Sequence, residues 1–330
     1  MGVMVDGRWT TDEEASKLKH EDGRWIRPES SIRHWVTPDG SPGPTGDGGF
    51  AAEPGRYHLF VAYGCPWAHR TLLFRVLKGL TDVISISIAQ PLRSADGWIF
   101  ADEPGEYYDH CLGKHALWEV YADSHPGFTG RVTVPLLYDK QRGIAVNNES
   151  ADIIRMLNSA FDAVGANDLD FYPAPLRDEI DTLNERIYSK LNNGVYRAGF
   201  AETQEAYEEG FNDVFATLDY LDERLAERRY LCGPDQTEAD WRLFPSLVRF
   251  DVAYHYAFKC NLRKISDYPN LWPYTCDLYQ TPGIAAIVFP EVYKRGYFSI
   301  SEVRNPLGIV PKGPIVDFSA PHDRQRLNAA

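Results

Sequence analysis

The chain has 330 residues, and 34 Lys and Arg stand against 47 Asp and Glu, giving a formal net charge of -13. Its 44% hydrophobic and 25% charged residues describe a globular chain long enough for two domains, not a disordered one. The acidic balance argues against a nucleic-acid role, because phosphate-backbone binding needs clustered cations.

No apolar run approaches the ~20 residues needed to span a bilayer, and the charged N-terminus lacks the apolar segment of a signal peptide. Asp6 stands where a myristoylation motif calls for Ser or Thr. Five cysteines (Cys65, Cys111, Cys232, Cys260 and Cys276) form no CxxC pair. Such a sparse, odd set predicts neither a disulfide framework nor a zinc knuckle, and fits a reducing cytoplasm.

In chain order, residues 1–55 read as an irregular N-terminal extension, crowded with Gly and Pro from 37 to 55. Residues 57–63 (YHLFVAY) predict a strand stopped by Gly64. Leu72, Leu73, Val76, Leu77 and Leu80 recur at helical spacing, with Arg70, Arg75 and Lys78 opposite. Ile84, Ile86 and Ile88 alternate with Ser85 and Ser87 as a second strand, so the region opens β-α-β. A polar and aromatic insertion fills roughly 90–130. The next strand, RVTVPLLYD, contains Pro135, which marks either a strand edge or end or a cis-proline facing a site. GIAVNNES then leads into a short helix carrying Ile153, Ile154 and Leu157.

From about 174 the pattern turns helical, with Leu176, Ile180, Leu183, Ile187 and Leu191 on one face and Tyr207 to Leu225 on another. Residues 237–258 are the most apolar of these segments and predict the central helix, with Thr237 and Asp240 in a capping arrangement. The expected organisation is an extension (1–55), an α/β thioredoxin-like domain (56–162), an all-helical domain (174–291) and an extended tail (292–330).

The strongest chemistry lies between the first strand and first helix, in Tyr63-Gly64-Cys65-Pro66-Trp67-Ala68-His69-Arg70. Pro66 suits the first helical position, where its missing N–H costs nothing. Cys65 then caps the helix, its sulfur facing free N–H groups and the positive end of the helix dipole. Those interactions favour thiolate over thiol and make a nucleophile at neutral pH; a structural buried cysteine is the plainer use. Ala68 occupies the place where dithiol oxidoreductases carry a second cysteine. Cys65 therefore needs an external thiol to resolve a mixed disulfide, and glutathione is the natural one. His110, Cys111 and His115 match no metal spacing and read as a solvated loop. Cys260 and Cys276 read as core thiols in helical, apolar contexts. Glycine-rich 46–49 lacks the flanking strand and helix of a phosphate loop.

The Cys-Pro-Trp-Ala turn, Val134-Pro135, Glu149-Ser150 and the helical second half resemble the cysteine-type glutathione transferases. Gly97-Trp98, Arg249-Phe250-Asp251, Phe258-Lys259-Cys260-Asn261 and the tail motif Asn305 to Pro311 narrow the resemblance, over roughly residues 24–315, to the xi class, the glutathionyl-hydroquinone reductases. The resemblance implies that Cys65 is the nucleophile, that Val134 pairs its backbone with the cysteinyl part of glutathione, and that Pro135 is a cis-proline beside it. It further implies that Glu149 and Ser150 hold the γ-glutamyl end, an arrangement in which Ser150 donates to the carboxylate and Glu149 accepts from the ammonium. Simple helix capping is the alternative use of that pair. Trp98 and Arg131 would hold the rest of the tripeptide, with a solvated surface charge the alternative for Arg131. Tyr196, Tyr254 and Tyr297 would surround the hydroquinone in a cleft between the two modules, although Tyr254 also fits a plain core aromatic. The segment after Tyr297 (Phe298-Ser299-Ile300-Ser301) departs from relatives that carry histidine and a second tyrosine there.

The implied activity is glutathione-dependent reduction of S-glutathionyl-hydroquinones, with glutathione as cosubstrate, no metal or bound cofactor, and a homodimer as the working form. A general thiol transferase or dehydroascorbate reductase of omega type shares Cys65 but needs no tyrosine-lined cleft. A non-catalytic interaction module would have no use for an activated thiolate.

Overall fold

The computed structural model describes every residue except Met1, Glu13, Glu14, Ser16, Leu18, Lys19, Arg93, Ile300, Glu302, Val303 and Ala330. Ile300, part of the segment after Tyr297, thus lies outside the described residues. The first 55 residues are not a separate irregular extension. Two antiparallel hairpins lie within them, β1 (Val3–Val5) with β2 (Arg8–Thr10) and β3 (His20–Glu21) with β4 (Arg24–Trp25), while residues 26–55 hold no helix or strand. Each turns on an Asp-Gly pair with positive φ (Asp6 47°, Gly7 76°; Asp22 50°, Gly23 76°), the backbone that two-residue hairpins require. The chain divides into two compact units, Met1–Lys17 with Pro28–Leu169 and Leu18–Arg27 with Asp170–Ala330. One hairpin therefore belongs to each unit.

The first unit contains β5 (Tyr57–Val61), α1 (Pro66–Leu77), β6 (Ser85–Ile88), α2 (Leu117–Ser124), β7 (Leu136–Asp139), β8 (Ile144–Asn147) and α3 (Ser150–Ser159). Its sheet has the order β6-β5-β7-β8, with β5 parallel to β6 and antiparallel to β7, so the expected thioredoxin-like β-α-β is present. All five residues of β5 are buried, as a strand covered on both faces must be. Pro135 immediately precedes β7, an interior strand; it is a strand end, and the Val134–Pro135 peptide is cis. The 90–130 insertion is not featureless, for it holds α2.

Two polar readings need correction. Arg70 and Lys78 do not face solvent but are buried; Lys78 Nζ donates to Asp162, to the Asn167 carbonyl at 2.8 Å and to the Leu169 carbonyl. Ser87 is also fully buried, despite its place in an alternating strand. His58 on β5 explains it. Ser85 Oγ lies 2.7 Å from His58 Nδ1 and Ser87 Oγ 2.9 Å from Nε2, while Ser87 donates to Asp109 Oδ1 at 3.0 Å. Because Ser87 spends its proton on Asp109, His58 must carry its own proton on Nε2.

The second unit contains α4 (Arg177–Arg186), which runs through a π-helical stretch (Ile187–Asn192) toward α5 (Gly194–Gly199), followed by α6 (Gln204–Arg224). Then come α7 (Glu238–Arg249), a second π stretch (Phe250–Tyr254), α8 (His255–Ala257), α9 (Leu271–Tyr279) and α10 (Pro290–Tyr297). All twelve residues of α7 are buried, which makes it the central helix. Asp240 organises its start: it accepts from Thr237 N at 2.8 Å, Thr237 Oγ1 at 2.9 Å, Leu231 N at 2.9 Å and the Tyr274 hydroxyl at 2.7 Å. The tail does not begin at 292, since α10 crosses that point. Its far end is anchored by Arg324, which donates to the Leu225 and Arg229 carbonyls at 2.8 and 2.7 Å.

Burial drives the His58 pKa down to about 3 from an ordinary 6.5, so the folded ring is neutral while the unfolded one gains a proton below 6.5. His58 thus contributes stability above pH 6.5 that is lost as pH falls toward 3, at about 1.4 kcal/mol per pH unit. Urea unfolding of wild type and His58→Gln across that range should show a slope shallower by about one proton in the variant; equal slopes would overturn this account.

Candidate active site

The register of β5 against β7 assembles the site. Phe60 pairs with Leu136, so the chain leaving β5 and the chain entering β7 meet at the same end of the sheet. Cys65 N donates to the Ala62 carbonyl at 3.0 Å, and His69 N donates to the Cys65 carbonyl at 3.0 Å. These two bonds close the turn and open α1. Cys65 is the N-cap, in extended backbone (φ -81°, ψ 121°), with Pro66 as first helical residue. Cys65 is half-buried, but its sulfur makes no capping bond to the N–H groups of α1 as the sequence predicts; the thiol instead donates to the Val134 carbonyl at 3.5 Å.

The other four cysteines are held as thiols. Burial pushes Cys111 and Cys232 up to about 11 and Cys260 and Cys276 up to about 12. Cys260 is a core thiol as expected, but lies just past α8 and not within a helix. Among the described residues no three His, Cys, Asp or Glu side chains are grouped to hold a metal ion. His110 Nε2 meets the Gly105 carbonyl at 2.9 Å and His115 Nδ1 meets Asp102 at 3.0 Å.

Glu149 is the N-cap of α3 and accepts from Ala151 N at 3.0 Å and from Ser30 Oγ at 3.0 Å. Ser150 beside it is buried, and Arg70 Nη1 donates to its hydroxyl at 3.5 Å. The Arg70 guanidinium also lies 4.6 Å from the Trp67 ring centre. One buried cation on α1 therefore links the Cys65 turn to the start of α3. Trp98 is buried and its carbonyl accepts from Leu117 N at 2.9 Å. Arg131 is half-buried and donates to the Lys17 carbonyl at 2.9 Å through an exposed bond. All these residues belong to the first unit.

The three tyrosines gather in the second unit. The Tyr196 and Tyr297 hydroxyl oxygens are 2.6 Å apart, and those of Tyr254 and Tyr297 are 3.2 Å apart. Phe258 stacks on Tyr254 with ring centres 5.5 Å apart at 12°, and packs edge-on against Tyr196 and Tyr297 at 5.2 and 5.4 Å. Trp25 lies 5.8 Å from Tyr196, whose ring is also 4.8 Å from the Arg27 guanidinium. Tyr254 is fully buried like a core aromatic, yet its hydroxyl joins the chain. Sequence reasoning missed Trp25, Arg27 and Phe258 as neighbours of these hydroxyls; the Asp-Gly turn before Trp25 was the available signal.

Residues 64–160 match the glutathione S-transferase N-terminal domain and residues 204–275 the glutathione S-transferase C-terminal domain. The chain is 48% identical to the glutathionyl-hydroquinone reductase YqjG of Escherichia coli (strain K12), over 98% of both chains. The glutathione-bound structure of that protein matches with a TM-score of 0.90 at 46% identity, covering 98% of this chain and 99% of the other. The glutathionyl-hydroquinone reductase PcpF of Sphingobium chlorophenolicum is 48% identical over 95% of this chain and 96% of its own. A Xi class enzyme from Natrialba magadii matches with a TM-score of 0.89 at 44% identity, over 99% of this chain and 97% of that one. This chain belongs to the glutathione S-transferase family, in its Xi class.

Burial, and then the neighbouring phenols, raise the pKa values of Tyr254 and Tyr297 well above the ordinary 10.0, against a smaller opposing pull from Arg249. Both hydroxyls are therefore donors, not phenolates, throughout the neutral range. In an alkaline titration followed by phenolate absorbance, Tyr254→Phe and Tyr297→Phe should remove no step at or below pH 10. A step lost there in either variant would contradict the assignment.

Proposed function

We propose that the chain takes glutathione off S-glutathionyl-hydroquinones, releasing free hydroquinone and oxidised glutathione. The observation that carries this reading is the half-buried Cys65 at the N-cap position of α1, its thiol beside the Val134 carbonyl, with Ala68 where a resolving cysteine would stand. Near-full-length similarity to two proteins named glutathionyl-hydroquinone reductases supports it.

In this reading Val134 binds the cysteinyl part of glutathione through its backbone, next to cis Pro135. Glu149 and Ser150 take the γ-glutamyl end, and Trp98 and Arg131 hold the remainder. Ring tautomerisation first places the sulfur on a non-aromatic carbon. The Cys65 thiolate then attacks the glutathionyl sulfur, the carbon–sulfur bond breaks, and its electron pair flows into the ring toward the carbonyl oxygen. The hydroxyls of Tyr254 and Tyr297, with Tyr196 bonded to Tyr297, donate to the oxygen that gains charge, a preorganised stabilisation. The hydroquinone leaves and Cys65 holds glutathione as a mixed disulfide. A second glutathione thiolate attacks that disulfide, yielding oxidised glutathione and free Cys65. Both electrons come from thiols, so the balance closes without a metal or a bound redox cofactor. A homodimer in a reducing cytoplasm goes with this reading. Among the described residues no helix is long and apolar enough to cross a membrane.

The test is to mix wild type and Cys65→Ser with a glutathionyl-hydroquinone and excess glutathione, following products by chromatography and adducts by mass spectrometry. Wild type should release hydroquinone and oxidised glutathione through an adduct of one glutathione on Cys65, and the variant should lose at least roughly three orders of magnitude in rate. Tyr297→Phe should retain the adduct while kcat falls by about 100-fold. An adduct formed from oxidised glutathione with the thioether left intact would favour the general thiol transferase. Absence of any Cys65 adduct would leave a binding module.

A further inference from the structure

Helix α2 (Leu117–Ser124) touches three of the segments assigned to glutathione, although no residue of α2 was singled out in the sequence. Leu117 N donates to the Trp98 carbonyl at 2.9 Å. One turn on, Tyr121 is fully buried and its hydroxyl sits at a junction. It donates to the Thr133 carbonyl at 2.9 Å and accepts from Asn148 Nδ2 at 3.3 Å. Thr133 directly precedes Val134, and Asn148 directly precedes Glu149.

The Thr133 carbonyl and the Val134 N–H belong to one planar trans peptide, in which the two groups point in opposite directions. A hydroxyl that pins the oxygen on one side therefore sets the direction of the Val134 N–H on the other. Through Asn148 the same hydroxyl is coupled to the second wall. Asn148 N donates to the Ile32 carbonyl at 3.0 Å, and the Asn148 side-chain Oδ1 accepts from Ile32 N at 3.2 Å. The Asn148 side chain is thus held in one orientation, with Nδ2 turned to Tyr121.

We propose that Tyr121 is a positioning residue for glutathione, its hydroxyl fixing the Thr133–Val134 peptide and the Asn148–Glu149 junction so that both present their groups to the same tripeptide. The inference rests on the glutathione-site reading above. It concerns the hydroxyl alone, so the phenyl ring in Tyr121→Phe keeps the packing that Tyr121 supplies beneath Phe128, whose ring centre is 5.0 Å away.

The experiment measures KM for glutathione and kcat in the reductase assay, and glutathione binding by calorimetry in a Cys65→Ser background. Tyr121→Phe should raise both KM and Kd about 5- to 10-fold, the loss of roughly one hydrogen bond, while kcat at saturating glutathione stays within about twofold of wild type. Tyr57→Phe is the control. It removes another buried tyrosine-to-carbonyl bond of the same unit (Tyr57 to Ala51, 2.7 Å), and should lower melting temperature comparably with no change in KM. A Tyr121→Phe variant that melts early but binds glutathione as tightly as wild type would overturn the proposal. Ser150→Ala separates the two levels: if it too leaves Kd unchanged, the glutathione-site assignment itself fails, and the role of Tyr121 falls with it.

Discussion

A cysteine at a helix start holds a fixed place only if the turn that carries it does not move, and the pairing of β5 with β7 provides that constraint. β5 is buried on both faces and bonded to β6 on one side and β7 on the other. Its end is therefore a fixed point from which the Cys65 turn departs, and the Val134–Pro135 segment arrives at the same point because Phe60 and Leu136 are in register. Pro66 begins α1 without an N–H to satisfy, and Arg70 ties α1 to the first residue of α3. Rigid elements of this kind hold a site more closely than a free loop would.

The second unit solves a different problem, that of placing hydroxyls in an apolar cluster without leaving them unsatisfied. A buried phenol needs a partner, and Tyr196, Tyr254 and Tyr297 supply one another in a chain of three oxygens. Phe258 and Trp25 pack against the cluster, and burial raises the pKa values of Tyr254 and Tyr297. The same packing that satisfies the core therefore leaves a row of donors suited to an oxygen that gains negative charge.

Much of this was legible from residue pattern. The aromatic and β-branched run of residues 57–63, the helical spacing of Leu72 to Leu77, the Pro66 helix start and the Thr237–Asp240 cap each rest on local chemistry, and local chemistry is what a sequence displays. The burial of Ser87, Arg70 and Lys78 is not legible in the same way, for the converse reason. A polar residue is expected outside unless its partners are known, and those partners (His58 and Asp109, Ser150, Asp162) are remote in sequence. Helix α2 lay hidden because its turn of apolar residues is short and set among aromatics and histidines. The hairpins were signalled by two Asp-Gly pairs, which the surrounding charge obscured.

The division of the N-terminal segment has a consequence for the order of synthesis. Leu18–Arg27 belongs with Asp170–Ala330, and the body of the first unit, Pro28–Leu169, is made in between. Trp25 must wait for Tyr196 and Phe200, and Arg24 for Glu209, with which it forms a 2.9 Å bond. At ordinary translation speeds that interval is on the order of ten seconds, during which the first unit can close around its own strands while this hairpin stays without its partners. A fragment starting at Asp170 would be born without Trp25 and Arg24 altogether. Each unit is thus a neighbourhood in space but not a separable length of chain.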